Sequence, residues 1–216
     1  MIPFISYLVT CHNEGVQLRT LLSLLLKYSE GNQIVVLDDY STDPITLEVL
    51  HEYQSVVGVK LVAHHLNKDY GTHKTYGTQQ CDGEYVFQID ADELPSEVLL
   101  VNLYALLQSN PRCEMFWVPR VNNFIGVTPA DIKTYGWHVN EKGHVMWPDY
   151  QSRIYKNSPH IKWDRKLHET IVGVTEYVKI PAIEELSLYH NKTIEKQRND
   201  NQRYTTEFSH EDNYRK

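Results

Sequence analysis

Asp90, Asp92 and Glu93 fall within four positions of one another, directly behind the mostly apolar run "YVFQI" at 85–89. Like charges about 4 Å apart repel by roughly 4 kcal/mol at an effective dielectric of ~20, so such a cluster calls for a compensating cation. Alternate residues of an extended chain point the same way, which lets Asp90 and Asp92 address one point. A hard divalent ion, Mn2+ or Mg2+, takes one or two carboxylates and fills its other positions with water and phosphate oxygens. The pair therefore suits a ligand that brings a diphosphate. Asp is also a frequent turn former and helix cap. Here the next helix opens at Ser96, so capping requires neither residue. Two further polar clusters, Thr10-Cys11-His12-Asn13-Glu14 and Asp38-Asp39-Tyr40-Ser41-Thr42-Asp43, also follow short apolar runs.

The surrounding pattern supplies elements to position these clusters. Residues 5–10, 34–37, 59–63, 84–89 and 115–118 read as strands. Between them, Leu18, Leu21, Leu22 and Leu25 recur at helical spacing behind Asn13, a candidate N-cap. Asp43-Pro44 opens a second helix, and a short one is expected over 72–80. Ser96 caps a fourth, with Leu99, Leu103, Leu106 and Leu107 on its apolar face. Strands alternating with helices imply right-handed βαβ units and a mostly parallel sheet. In such sheets ligands bind beyond the carboxyl ends of the strands, the edge where all three polar clusters stand.

After Pro119 the alternation fails. Residues 120–147 are rich in Asn, Gly, His, Trp and Tyr with little periodicity, and short strands are expected at 151–155 and 186–190. Residues 193–216 read as a solvated polar helix that frays into a tail. The expected organisation is one domain over 1–216: a ligand-binding half (1–119), an acceptor and catalytic half (120–192) and the polar end (193–216).

Bulk properties narrow the function class. A formal net charge of −7 over 216 residues argues against a nucleic-acid or anionic-membrane binder. Cys11, Cys81 and Cys113 are scattered and odd in number, which suits a reducing compartment better than a disulfide framework. No apolar run is long enough to span a bilayer and no secretory signal is evident. The expectation is a cytoplasmic protein, soluble or peripheral at a membrane.

"VVLDDYSTD" followed by "GEYVFQIDADE" resembles the family 2 glycosyltransferases over roughly residues 3–120. "WPDYQSRIYKN" and "KLHE" are similar to the branch holding bacterial lipopolysaccharide-core glucosyltransferases and phage-encoded relatives. The resemblance implies a GT-A fold: an α/β, Rossmann-like, mostly parallel central sheet flanked by helices, with an irregular acceptor-side elaboration. It also implies a nucleotide-diphosphate sugar donor, a UDP-sugar first among them, and a divalent cation (Mn2+ or Mg2+) bound through Asp-x-Asp. Transfer would be inverting, to a glycan, lipid-linked or other hydroxyl acceptor. Carried over, Thr10 and Asp39 would contact the base, with Asn13, Glu14 and Ala91 in the same donor pocket, while Asp38 would structure its turn. Asp90 would meet the ribose or the metal, and Asp92 the metal directly. Lys74 would neutralise the donor diphosphate or stand as a solvated helix-surface lysine, and His190 or His168 would complete the metal shell. Arg153 in "QSRIY" would pair two-pronged with a phosphate or form a structural salt bridge. The family's adjacent Glu-Asp pair is absent from the region of the base, which leaves Glu169 and Asp149. Glu169 is preferred because it lies later and precedes His190. Trp137, His138, Trp147 and Tyr150 would suit an acceptor sugar, or would form a hydrophobic cluster under a loop.

Competing classes fit less well. A sugar-phosphate nucleotidyltransferase wants a glycine-rich basic loop after the first strand, where "TCHNEG" has one glycine. An Asp-nucleophile phosphatase carries Asp-x-Asp on its first strand, whereas three strands precede it here. A non-catalytic saccharide- or nucleotide-binding protein on the same fold would have no need of both acidic clusters.

Overall fold

The computed structural model describes residues 3–28 and 31–214, the side chains of 213 and 214 excepted. Residues 215 and 216, where the tail was expected to fray, lie outside the described residues.

The first half alternates as expected. Strand β1 (Ile5–Cys11) runs parallel between β2 (Gln33–Asp38) and β4 (Tyr85–Asp90), with β3 (Val59–Ala63) outside β2. The period of two sends Ile5, Tyr7 and Val9 to one face and Leu8 to the other. The first face packs on leucines of α1 (Gly15–Tyr28) and α4 (Glu97–Ser109) and on Val49 and Tyr53 of α2 (Pro44–Tyr53). The second packs with Leu37, Val86, Tyr155 and Trp163, on the side of α3 (Tyr70–Thr78). The chain builds outward from β1 to β3 and then returns to the opposite side of β1 as β4. That reversal makes the gap between the ends of β1 and β4 the switch point where ligands of this architecture bind. Thr10 and Asp90 are register partners there.

Local signals act where the sequence puts them, with one exception. Asp43 accepts from Thr46 N at 2.8 Å ahead of Pro44, and Ser96 accepts from Leu99 N at 3.0 Å. Asn13 does not cap α1. It sits at φ +63°, a conformation Asn tolerates, and its side-chain carbonyl accepts from Thr42 N (2.7 Å) and Asp43 N (2.8 Å). It ties the exit of β1 to the exit of β2.

The second half is more regular than its composition suggests. β5 (Glu93–Pro95) is followed, beyond α4, by β6 (Met115–Ile125), α5 (Pro129–Tyr135) and β7 (Val145–Lys156). β7 inserts antiparallel between β4 and β6. Most of the stretch that read as irregular is therefore strand and short helix. Its polar residues obscure the pattern: Asn122 sits buried in β6 because its amide donates across to Val145 O (3.3 Å) and Asp149 Oδ2 (2.9 Å). β8 (Lys162–Asp164) and β9 (Thr170–Val172) form a separate two-stranded arm beside α3. β10 (Tyr177–Lys179) and β11 (Leu188–Thr193) both lie parallel to β6, and β5 pairs antiparallel with β11. The sheet remains mostly parallel but is mixed on this side.

The polar end forms the expected helix, but part of it packs on the fold. It forms α6 (Ile194–Glu207) and α7 (His210–Tyr214). Thr193 caps α6, Ile194 is buried, and the Lys192–Asp200 (2.6 Å) and Arg198–Asp131 (2.8 Å) ion pairs fasten it down. One face of α6 covers the switch-point edge instead of facing solvent.

The packing of α1 on α2 leaves no space at Gly15, where a Cβ would fall 2.5 Å from Thr46 N. Gly15→Ala is expected to lower stability by about 2 kcal/mol or more, as overpacking does, read as a shifted midpoint in urea unfolding.

Candidate active site

The ends of β1, β2 and β4, the arm, β11 and α6 enclose one cavity of about 510 Å³. Thr10, Asn13, Glu14, Asp39, Lys74, Asp90, Ala91, Asp92, Arg153, His168, Glu169 and His190 all line it. Asp149 is not among its lining residues, and neither are Trp137, His138, Trp147 and Tyr150. Trp137 instead stacks on Tyr135 at 4.6 Å, and the Tyr150 hydroxyl donates to Ile180 O at 3.0 Å. Trp137 and Tyr150 thus pack on the β6–β7 side, Trp147 lies edge-on to His144 at 6.2 Å, and His138 is exposed.

The repulsion within the acidic cluster is offset by the protein's own cations, so it does not in itself require a metal. One Arg153 nitrogen lies 2.6 Å from both Asp90 Oδ2 and Glu93 Oε1, and the other donates to Gln88. Arg120 bridges Glu93 (2.8 Å) and Asp149 (2.6 Å). Lys74, buried in α3, reaches Glu169 at 2.6 Å and Asp90 at 3.1 Å. Thr10 and Gln88 each donate to Asp90 at 2.8 Å. Burial opposes charge on Asp90, but Arg153 and Lys74 outweigh it and hold the carboxyl well below the usual range.

Both terminal nitrogens of Arg153 bond to protein groups, which favours its reading as a structural ion pair. Asp90 has four side-chain partners, Thr10, Gln88, Lys74 and Arg153.

Asp92 differs. Its Oδ2 lies 3.4 Å from His190 Nε2 and 3.2 Å from Lys196 Nζ. Burial raises its carboxyl, yet His190 and Lys196 bring it well below the ordinary value. Asn122 anchors the His190 ring through Nδ1. Because the Asn122 amide nitrogen donates to Asp149 and Val145, its oxygen faces His190 Nδ1 at 3.0 Å. The Nδ1 proton therefore points away from the cavity and Nε2 points at Asp92. A carboxylate oxygen and an imidazole nitrogen converging on one point, with the far ring nitrogen anchored, match how metal-ligating histidines are held. No group of three or more His, Cys, Asp or Glu among the described residues is arranged to hold a metal. The donor set thus fits a divalent ion that takes two protein ligands and draws the rest from water or phosphate. His168 lines the same cavity, its ring edge-on to Tyr204 at 6.4 Å.

Around the first cluster, Asp38 accepts from Ser41 N and Oγ (3.1 and 2.5 Å) and shapes its turn. Asp39 Oδ1 accepts from Leu66 N at 2.9 Å, and the Asp39 carbonyl lies 2.8 Å from His12 Nδ1. Glu14 accepts from His12 N at 3.1 Å, and burial together with Asp92 pushes its carboxyl up. Glu169 is driven the other way: burial raises it, the Lys74 ammonium more than compensates, and it stays ionised. Asp149 is likewise held down, chiefly by Arg120 acting against burial.

The residues that sequence reasoning missed are Gln88, Arg120, Lys196 and Arg203. Gln88 gives a signal, a polar residue inside an otherwise apolar strand. Lys196, Asp200, Arg203 and Tyr204 share one helical face, a spacing legible once the helix is known to pack.

A parallel switch point with a polar pocket between β1 and β2 and an acidic edge on β4 defines a doubly wound α/β architecture with its ligand site at the strand ends. Solved structures carry the same fold. The S. aureus TarS fragment 1–349 in complex with UDP-GlcNAc superposes with a TM-score of 0.63 at 19% identity, covering 88% of this chain and 58% of that one. The same fragment without that ligand gives 0.61 at 18%. The sequence model of Glycosyl transferase family 2 matches residues 6–171, and the chain belongs to that family. Among curated relatives, the poly-beta-1,6-N-acetyl-D-glucosamine synthase of Staphylococcus epidermidis is 29% identical over 122 residues, 55% of this chain. The undecaprenyl-phosphate 4-deoxy-4-formamido-L-arabinose transferase of Aeromonas hydrophila is 32% identical over 97 residues, 42% of this chain. The aligned segment spans 29% of the length of each relative.

Two stability tests follow. Arg153→Met strips the buried carboxylates of their shared partner and should cost about 3–5 kcal/mol in urea unfolding. The second concerns pH. Asp90, Asp92, Asp149 and Glu169 have folded-state values below the ordinary ones, so their contribution is present above the unfolded range near pH 4 and lost as pH falls below it. Glu14 has the opposite sign. His73 adds a loss at higher pH, because burial lowers its imidazole to about 4 and the unfolded chain takes up that proton first. Unfolding free energy should therefore begin to decline below about pH 6.5 and fall most steeply from about pH 5 to pH 3.

Proposed function

We propose that this chain is an inverting glycosyltransferase that moves a sugar from a nucleotide-diphosphate donor to an acceptor hydroxyl. The observation that carries the reading is the convergence of the Asp92–His190 donor pair with the Thr10 and Asp39 pocket in one cavity at the switch point. Asp39 and Thr10 would receive the base, and Asn13 would hold the two loops that frame it. Asp92 and His190 would bind Mn2+ or Mg2+, which when bound supplies positive charge for the departing diphosphate.

Glu169 is the better candidate for the base. It faces the cavity, and Lys74 keeps it ionised and oriented, as a group that must accept the proton of an acceptor hydroxyl requires. Asp149 faces Arg120, Asn122 and Gln151 instead. A UDP-sugar is the first donor to test, because a structural neighbour was solved with UDP-GlcNAc and a curated relative is named for N-acetylglucosamine polymerisation. A glycan or lipid-linked hydroxyl is the proposed acceptor class, and the name of the Aeromonas relative, which includes undecaprenyl phosphate, adds a lipid phosphate as a second acceptor to test. No helix among the described residues is long and apolar enough to cross a membrane.

Thermal unfolding with UDP at 100 times its dissociation constant should gain about 2.7 kcal/mol of apparent stability, with a larger shift in Mn2+ than in EDTA. Asp92→Asn should remove the Mn2+-dependent part, and an unchanged shift would break the metal assignment. In turnover assays, Glu169→Gln should lower kcat by roughly 10²–10⁴ with UDP binding retained. A loss of that size in Asp149→Asn instead would move the base.

A further inference from the structure

Lys196 brings a cation to the acidic edge from a part of the chain remote from the strands that form it. The start of α6 is fixed by the Thr193 cap, by Ile194 and by the Lys192–Asp200 pair. So held, Lys196 Nζ lies 3.2 Å from Asp92 Oδ2 and 3.6 Å from Glu14 Oε1. Its side chain is 38% exposed, against 3% for Lys74 and 4% for Arg153. That difference decides which cation can change partners. Lys74 bridges Asp90 and Glu169, Arg153 bridges Asp90 and Glu93, and Arg120 bridges Glu93 and Asp149. Moving Lys74 would leave Glu169 without its counter-ion, moving Arg120 would do the same to Asp149, and Arg153 is itself buried with both terminal nitrogens bonded, so each exchange is costly. Lys196 can turn at little cost, because its partners line an open cavity.

We propose that Lys196 is a phosphate ligand of the donor. The ammonium that here neutralises Asp92 and Glu14 turns to the diphosphate oxygens when a nucleoside diphosphate enters, as a divalent ion takes over the charge of Asp92. The inference rests on the donor reading above and adds to it a residue from the polar end of the chain. Among the cavity's basic residues, Arg203 is a built-in comparison. It lies on the same face of α6, 3.3 Å from the Tyr70 hydroxyl and 3.9 Å from Asp200, and forms no ion pair with Asp90, Asp92 or Glu14.

The test is calorimetric titration of UDP and of uridine, in Mn2+, into the wild-type protein, Lys196→Gln and Lys196→Arg. GDP or dTDP with its own nucleoside replaces the pair if one of these is what binds. Lys196→Gln should weaken the diphosphate roughly 10- to 100-fold, as loss of one charge-assisted contact does. The nucleoside should bind as before, and Lys196→Arg should recover most of the loss. Unchanged diphosphate affinity in Lys196→Gln, or equal losses for diphosphate and nucleoside, would overturn the assignment. Wild-type protein that binds none of the three diphosphates would overturn the donor reading itself and this inference with it.

Discussion

A guanidinium near the end of β7, shared between Asp90 and Glu93, is the contact on which the acidic edge depends. Without Arg153 the two carboxylates would face each other across the β4–β5 bend with no counter-ion in reach of both. Its position follows from topology. β7 enters antiparallel between β4 and β6, so residues near the middle of a long strand arrive at the carboxyl end of a parallel one. The insertion therefore does more than widen the sheet. It brings a permanent positive charge beneath the place where negative charge must be tolerated.

With that charge in place, the two aspartates of the Asp-x-Asp motif have different characters. Asp90 is enclosed by Thr10, Gln88, Lys74 and Arg153 and behaves as part of the scaffold joining β1 to β4. Among the described residues, Asp92 forms ion pairs only with His190 and Lys196, both lining the cavity. One carboxylate is fixed so that the other can remain exchangeable. The same division separates the cations, with Lys74, Arg120 and Arg153 locked and Lys196 loosely held.

The first half of the fold was legible because each element there carries one unmixed signal: apolar β-branched runs for β1 to β4, leucines at helical spacing for α1 and α4, Asp43 and Ser96 as caps. Asn13 misled because Asn serves both caps and left-handed turns, and only the tertiary partners at Thr42 and Asp43 distinguish them. Past Pro119 the signals mix. β6 buries Asn122 for its hydrogen bonds, β8 to β10 are three residues each, and α6 packs through charged groups, so hydropathy has nothing to report. The site shared this limit. Residues at strand ends could be named from spacing alone. What they pair with could not, which is why the charge repulsion pointed first to a metal and turned out to be met largely by Arg153, Lys74 and Arg120.

Glu169 reaches the cavity from the two-stranded arm, which shares no strand with the main sheet. The arm is moored to α3 by backbone bonds from Tyr70 to Lys166 and from Gly71 to Arg165, and Gly71 permits the approach, since a Cβ there would lie 2.5 Å from Arg165 O. The pocket between β1 and β2 is complete without this mooring, whereas the carboxylate opposite Lys74 is delivered by it. On the proposed reading, recognition and proton removal would be housed in separately anchored pieces, and the arm could change in sequence or length to suit new acceptors while the pocket between β1 and β2 stayed as it is.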